Sequence, residues 1–253
     1  MFVLRSVFLA ATVGVAAACA GQTPVAGAKA AQSCSCEEMR GRLNDWAQLN
    51  HYRAANERLE APKDGEQRVV FFGSSTTENW GSKFGSVFFP GEPYVNRGVS
   101  GQTTPQMLIR FQQDVVALKP AAVVIFGGSN DVAGNTGQAT LPMIEDNLRS
   151  MVAIAKANGI KVILASQQPT IDYPWNHGTH PEQALRALSL WEKNYAAENG
   201  LVYVDYYSAL VGPDGGFKPG LSVDGVHPTA QGYAVMAPLA EEAIREALAG
   251  GKK

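Results

Sequence analysis

Arg68-Val69-Val70-Phe71-Phe72-Gly73-Ser74-Ser75-Thr76-Thr77 is the stretch on which the fold turns. A short apolar run goes straight into a glycine and a cluster of hydroxyl residues. Periodicity alone leaves such a run as either a buried parallel strand or a piece of buried helix. Its length, the β-branched pair and the flanking glycine favour the strand. The same reading applies to residues 94–96, 121–126, 161–165 and 201–205. Helical patterns lie between them, at about 104–118, 141–158 and 181–199, with a last one over 229–248. Gly159 and Gly200 stand where helix C-caps are expected. Strands alternating with helices predict an α/β fold with a parallel sheet and helices on both faces. No internal repeat and no second domain is visible.

In front of the first strand, Met39, Leu43, Trp46, Leu49 and Tyr52 recur at spacings of three and four. One apolar stripe over residues 36–59 predicts a single helix, ended by Pro62 and Gly65. The 253 residues carry 45% hydrophobic and 17% charged side chains. A chain of that length buries about 70–75% of its unfolded surface and needs no metal or disulfide staple. The formal net charge is −2 and no basic stripe appears, which excludes a nucleic-acid partner.

The amino terminus reads differently. Arg5 is the one charged residue ahead of an Ala- and Val-rich run at 7–18, the length of a signal-peptide core and short for a bilayer span. Ala18-Cys19-Ala20 fits a cleavage site, so residues 1–20 are expected to be a signal peptide. A second reading makes Cys19 a lipid anchor, although the large apolar residue usual three positions before it is absent. Either reading exports the protein. Residues 21–35 read as a linker and 36–253 as the folded domain. Cys34 and Cys36 are expected to be a local disulfide or free thiols rather than a zinc site, because no nearby His or Cys completes four ligands.

Ligand sites in such sheets gather at the carboxyl ends of the strands. The segments there are 73–77, 97–103, 127–131 and 166–170, together with the region after Asp205. Ser75 is the candidate nucleophile, which a nearby base must activate. Read alone, Ser74, Ser75 and Thr76 equally suit the cap of the next helix. In Asp224-Gly225-Val226-His227 a carboxylate stands three residues before an imidazole. That spacing suits a base, His227, whose tautomer Asp224 fixes. It also suits a turn with a surface histidine. Asn130, in Gly128-Ser129-Asn130-Asp131, is a candidate oxyanion donor or a turn residue. Gly101 offers a backbone N–H with no side chain in the way, or a plain turn. His51 reads as a surface or core residue of the first helix, and His177 and His180 as loop residues rather than metal ligands or substrate contacts.

Taken in order, Gly73-Ser74-Ser75, Asn96-Arg97-Gly98-Val99-Ser100-Gly101, Gly128-Ser129-Asn130-Asp131 and Asp224-Gly225-Val226-His227 resemble the four blocks of the SGNH/GDSL hydrolase family. The resemblance spans about 69–248. It implies a three-layer αβα sandwich, flavodoxin-like, with Ser75 as nucleophile and Asp224 and His227 completing a triad. It also implies an oxyanion hole from Gly101, Asn130 and the N–H of Ser75, and no cofactor or metal. One position departs from the pattern: Ser74 stands where the family usually has Asp, which is not a triad member. An α/β-hydrolase elbow would need Gly-x-Ser-x-Gly, and Ser75 is followed by two threonines.

The expected reaction is hydrolysis of small acyl esters. Phe84, Phe88 and Phe89, within residues 82–93, either line the acyl pocket or pack on the sheet. Tyr173, Trp175 and Trp191 would suit the alternative of a carbohydrate O-deacetylase. A non-catalytic ester- or glycan-binding protein on the same fold is the rival from another class.

Overall fold

The computed structural model describes residues 35–249. The expected signal peptide, Cys19, Cys34 and all but the last residue of the expected linker lie outside the described residues. Strands β1 (Val69–Gly73), β2 (Tyr94–Gly98), β3 (Ala122–Phe126), β4 (Lys161–Ala165) and β5 (Val202–Val204) form one sheet. All pairings are parallel and the order is β2-β1-β3-β4-β5, the flavodoxin-like arrangement. All five expected strands are there, with ends moved by a residue or two.

The helices are α1 (Cys36–Asn44), α2 (Arg53–Arg58), α3 (Ser75–Asn79), α4 (Thr104–Asp114), α5 (Ser129–Val132), α6 (Leu141–Ala157), α7 (Glu182–Asn199), α8 (Tyr206–Leu210) and α9 (Ala230–Ala249). Alternate strand residues feed two cores. Val69, Phe71, Val124 and Ile163 meet Tyr233, Met236, Ala240 and Ile244 of α9. Val70, Phe72, Val123 and Ile125 meet Met107 and Phe111 of α4, Leu148 of α6 and Leu188 of α7. Both faces are covered, so the strands read as unbroken apolar runs instead of alternating ones. Each fully buried large side chain contributes about 1.5–3 kcal/mol to this sandwich.

The expected helix over 36–59 is two helices with a turn between them. Asp45 ends α1 by accepting the N–H groups of Leu49 (2.7 Å) and Asn50 (2.9 Å), and Gln48 takes a φ of 56°. Three glutamines around α4 then hold the turn by its carbonyls. Gln106 donates to Trp46 (2.6 Å), Gln102 to Ala47 (2.8 Å) and Gln113 to Leu49 (2.7 Å). The stripe expected to bury this segment does not do so, for Met39, Leu43 and Trp46 are exposed. Cys36 is exposed as well.

Two features fix the carboxyl edge. The first is steric. A Cβ on Gly98 would lie 2.1 Å from the backbone N of Glu78, and one on Gly73 would lie 2.2 Å from the Thr77 hydroxyl of α3 and 2.6 Å from the Phe126 carbonyl of β3. Glycine at both positions lets α3 rest directly on the ends of its neighbouring strands. The second is Arg110, fully buried on α4. Its guanidinium donates to the carbonyls of Gly73 at the end of β1 and Arg97 in β2, both at 2.8 Å, and lies over the Phe72 ring. Asp114, one turn on, is equally buried and accepts from it at 3.1 Å. Burial pushes the guanidinium down to about 10 against the pull of Asp114.

Truncating one partner of such a pair strands the other's charge. Arg110→Met is expected to lower stability by about 3–5 kcal/mol in urea unfolding. The double variant Arg110→Met/Asp114→Leu should recover part of that loss.

Candidate active site

Parallel strands put all their carboxyl ends on one edge, and the chain leaves β1 and β3 in opposite directions across the sheet, opening a crevice between them. Ser75 follows β1 as the first residue of α3. Its Oγ lies 2.9 Å from Nε2 of His227, and Nδ1 of His227 lies 2.7 Å from Oδ2 of Asp224. Residues 152 apart in sequence thus form one chain of hydroxyl, imidazole and carboxylate.

The loop carrying Asp224 and His227 is braced from within. Oδ1 of Asp224 accepts the N–H groups of Val226 (3.0 Å) and His227 (2.8 Å). Ser222 donates its hydroxyl to the His227 carbonyl (2.8 Å), which also accepts the Val223 N–H (2.9 Å). Thr229, just ahead of α9, ties the loop to Gly220 and Leu221. Partial burial works to raise the Asp224 carboxyl. The N–H of His227, its ring and the N–H of Val226 outweigh that and hold it below the usual Asp range.

Gly101 and Asn130 line the same cleft as Ser75, Asp224 and His227, an open depression of 410 Å³. Gly101 has a φ of 78°, which glycine adopts without strain. Asn130 is buried and spends one Nδ2 hydrogen on the Gln102 carbonyl (2.9 Å), leaving the second free. Its neighbour Asp131 caps α4 by accepting the N–H (2.9 Å) and hydroxyl (2.6 Å) of Thr104. Burial pushes the Asp131 carboxyl up to about 6 in spite of those bonds. Ser74 makes no side-chain cap bond to α3. A larger hollow of 600 Å³ opens at the opposite edge, by Gly159 and Gly200, far from this chain of groups.

Two braces escaped sequence reasoning. Gln168, after β4, is buried and grips both halves of the site. Its amide meets the Thr76 hydroxyl at 2.9–3.0 Å and donates to the Val226 carbonyl at 2.5 Å. It thereby joins the residue after Ser75 to the residue before His227. Its one signal in the sequence was a place in a post-strand segment. Glu78, on α3, accepts the N–H of Ser100 (2.8 Å) and its hydroxyl, and pairs with His51 at 3.0 Å. It fixes the peptide leading into Gly101.

The aromatic expectations divide. Phe84 lines the cleft, whereas Phe88 and Phe89 pack on Phe71 and Trp80. Trp175 lines it too, with its indole N–H on Asn135 (3.0 Å), while Tyr173 is buried behind it. Trp191 is elsewhere, stacked on Tyr195 beneath Arg149. His177 pairs with Asp172 on an exposed loop (2.6 Å). Among the described residues no three His, Cys, Asp or Glu side chains converge as a metal cluster.

A hydroxyl, an imidazole and a carboxylate linked in series make the arrangement of a serine hydrolase. The chain belongs to the GDSL-like Lipase/Acylhydrolase family, whose model matches residues 71–235, and this is a family of carboxylic ester hydrolases. It is 40% identical to a GDSL-like lipase from Bacteroides thetaiotaomicron VPI-5482, with a TM-score of 0.76 over 80% of this chain and 100% of that one. It is 34% identical to Esterase TesA of Pseudomonas aeruginosa over 53% of this chain and 60% of that protein. It is 30% identical to the uncharacterized lipoprotein YqeF of Bacillus subtilis strain 168 over 45% of this chain and 53% of that protein. The chain thus matches between half and two thirds of the length of these two curated relatives.

A depressed carboxyl contributes stability that is present above its unfolded pKa, about 3.9, and is lost as pH falls through the folded value. The melting temperature of the wild type is therefore expected to exceed that of Asp224→Asn near neutrality. The gap should close as pH drops below about 4.

Proposed function

We propose that this protein is an exported serine esterase that hydrolyses small acyl esters through an acyl-enzyme on Ser75. The observation that carries the reading is the continuous contact from Ser75 through His227 to Asp224. His227 takes the Ser75 proton as Oγ attacks the ester carbonyl. Asp224 holds Nδ1–H, sets the tautomer and stabilises the imidazolium. The oxyanion that forms is met by the N–H of Ser75, the N–H of Gly101 and the spare Nδ2 hydrogen of Asn130. These donors are fixed before substrate arrives, so little reorganisation opposes the developing charge. His227 then protonates the leaving alcohol, and a water activated the same way releases the acid.

An open cleft of 410 Å³ supports small substrates over long acyl chains. Trp175, 46% exposed on the cleft wall, favours a second reading in which the ester is an acyl group on a carbohydrate. The intact series of Ser75, His227 and Asp224 weighs against a protein that only binds esters. Export rests on the apolar run at 7–18 and on Cys19, with cleavage or lipidation there as its mark. No helix among the described residues is long and apolar enough to cross a membrane.

Incubation with a fluorophosphonate should place one adduct on Ser75, and p-nitrophenyl acetate should be turned over. Ser75→Ala is expected to lower kcat by at least about 10⁴-fold and to abolish labelling. Asn130→Ala should cost about 10²–10³ in kcat with little change in KM. Labelling elsewhere, or full activity of Ser75→Ala, would sink the reading. Gln168→Ala should lower kcat by about 10² through a misplaced base, with KM changed far less.

A further inference from the structure

Gly101, a proposed oxyanion donor, has little packed against it. It is exposed between the cleft of Ser75 and a second hollow beside Trp46 and Gln48. Apart from its chain neighbours, one atom among the described residues lies within 4 Å of a Cβ placed there, Nδ2 of Asn135 at 3.9 Å. Glycine also has the widest choice of backbone angles. Hydrogen bonds must therefore hold this residue. Glu78 takes the Ser100 N–H on one side, and the turn closes with the Gln102 N–H on the Val99 carbonyl at 3.3 Å. The Gly101 carbonyl itself accepts from Nδ2 of Asn135 at 3.0 Å.

Asn135 also reaches the other side of the proposed oxyanion hole. Its backbone N–H donates to the Asn130 carbonyl at 3.0 Å. One residue thus spans from the segment of Asn130 to that of Gly101, 34 positions away, and helps to set the distance between them. That spacing matters, because each donor must come within about 2.7–3.1 Å of the developing oxyanion.

The second partner of the amide sets its polarity. Oδ1 of Asn135 accepts the indole N–H of Trp175 at 3.0 Å. An indole nitrogen only donates and a carbonyl oxygen only accepts. A side chain that bridges the two needs an acceptor at one end and a donor at the other, which an amide supplies in one orientation. Trp175 stands on a braced loop. Tyr173 donates its hydroxyl to the Ser129 carbonyl (2.9 Å), and Asn176 donates its Nδ2 to the Ala133 carbonyl (2.9 Å). Both anchors flank Asn130. The Trp175 ring lines the cleft while its N–H orients Asn135.

We infer that Asn135 is a positioning residue that fixes Gly101 for oxyanion stabilisation, with the Trp175 indole N–H as its orienter. The inference rests on the serine-esterase reading and adds two residues to it. Asn135 acts through Gly101, and Trp175 acts through Asn135. The tie matters most when negative charge forms on the substrate oxygen, so its loss falls on the transition state and not on substrate binding.

The test is a double-variant cycle on p-nitrophenyl acetate with Asn135→Ala, Trp175→Phe and the two combined. Phenylalanine keeps an aromatic ring in the wall and lacks the N–H. Asn135→Ala should lower kcat and kcat/KM alike by about tenfold, short of the roughly 10²–10³ lost with a whole donor. Trp175→Phe should lower both by about threefold, the worth of a weak neutral hydrogen bond. Added to Asn135→Ala it should change nothing further, since its effect passes through the amide. Both side chains are exposed, so the melting temperature should hardly move. If one single variant has lost its fold by that measure, the other carries the comparison of kcat with KM.

An unchanged kcat in Asn135→Ala would overturn the inference. A loss confined to KM would make Asn135 a substrate contact and overturn it too. Losses that simply multiply in the combined variant would separate Trp175 from Asn135, with the same consequence. Each of these outcomes leaves Ser75 labelled by a fluorophosphonate and the esterase reading intact. A wild type that neither hydrolyses the acetate nor is labelled at Ser75 would instead remove the esterase reading beneath it.

Discussion

The close approach of α3 to the end of β2 is the constraint on which the rest of the site depends. Gly98 has no side chain, and any Cβ there would collide with the backbone of Glu78 and Ser74. Once α3 lies in that position, Ser75 sits at the mouth of the crevice and Glu78 reaches Ser100 beside Gly101. Asn96 adds a hydrogen bond from below, from its Nδ2 to the Thr77 carbonyl (2.5 Å). Ser75, the proposed nucleophile, and Gly101, a proposed oxyanion donor, are thus both positioned through α3.

Three further ties convert this local fit into a site made from the whole chain. Arg110 gathers the carboxyl ends of β1 and β2 from beneath the sheet. Gln168 links α3 to the loop of His227. Tyr233 on α9 donates to the Thr76 carbonyl at 2.8 Å. Each crosses between elements far apart in sequence. Each is also buried, where a hydrogen bond excludes competing water and an unmade one is costly. The geometry of the Ser75 and His227 pair is therefore set by packing and polar satisfaction together, which is the preorganisation that acyl transfer needs.

The sheet and its long helices were legible from local patterns, whereas Ser75, Gly101, Asn130, Asp224 and His227, each of which alone also suited a cap or a turn, were legible as an ordered set that resembles the family's four blocks. Apolar runs end in glycine, polar residues follow the strand ends, and a carboxylate stands three residues before a histidine. Gln168 and Glu78 had no such signature. Their meaning lies in contacts across tens of residues, as in the 92 residues between Thr76 and Gln168. The break between α1 and α2 was hidden for another reason. Asp45 and the glutamines around α4 hydrogen-bond the backbone of residues 46–50 in the turn, overriding a period that promised one stripe. Phe88 and Phe89 suited either a pocket wall or packing on the sheet in sequence, and their contacts with Phe71 and Trp80 make them core.

The most direct measurement of the acyl-transfer chemistry is a rapid-quench experiment with p-nitrophenyl acetate, followed by peptide mapping of the trapped protein. The expected result is a burst of nitrophenol matched by one acetyl group on Ser75. Turnover with no acetylated intermediate, or an acetyl group carried by Ser74 or Thr76, would contradict it.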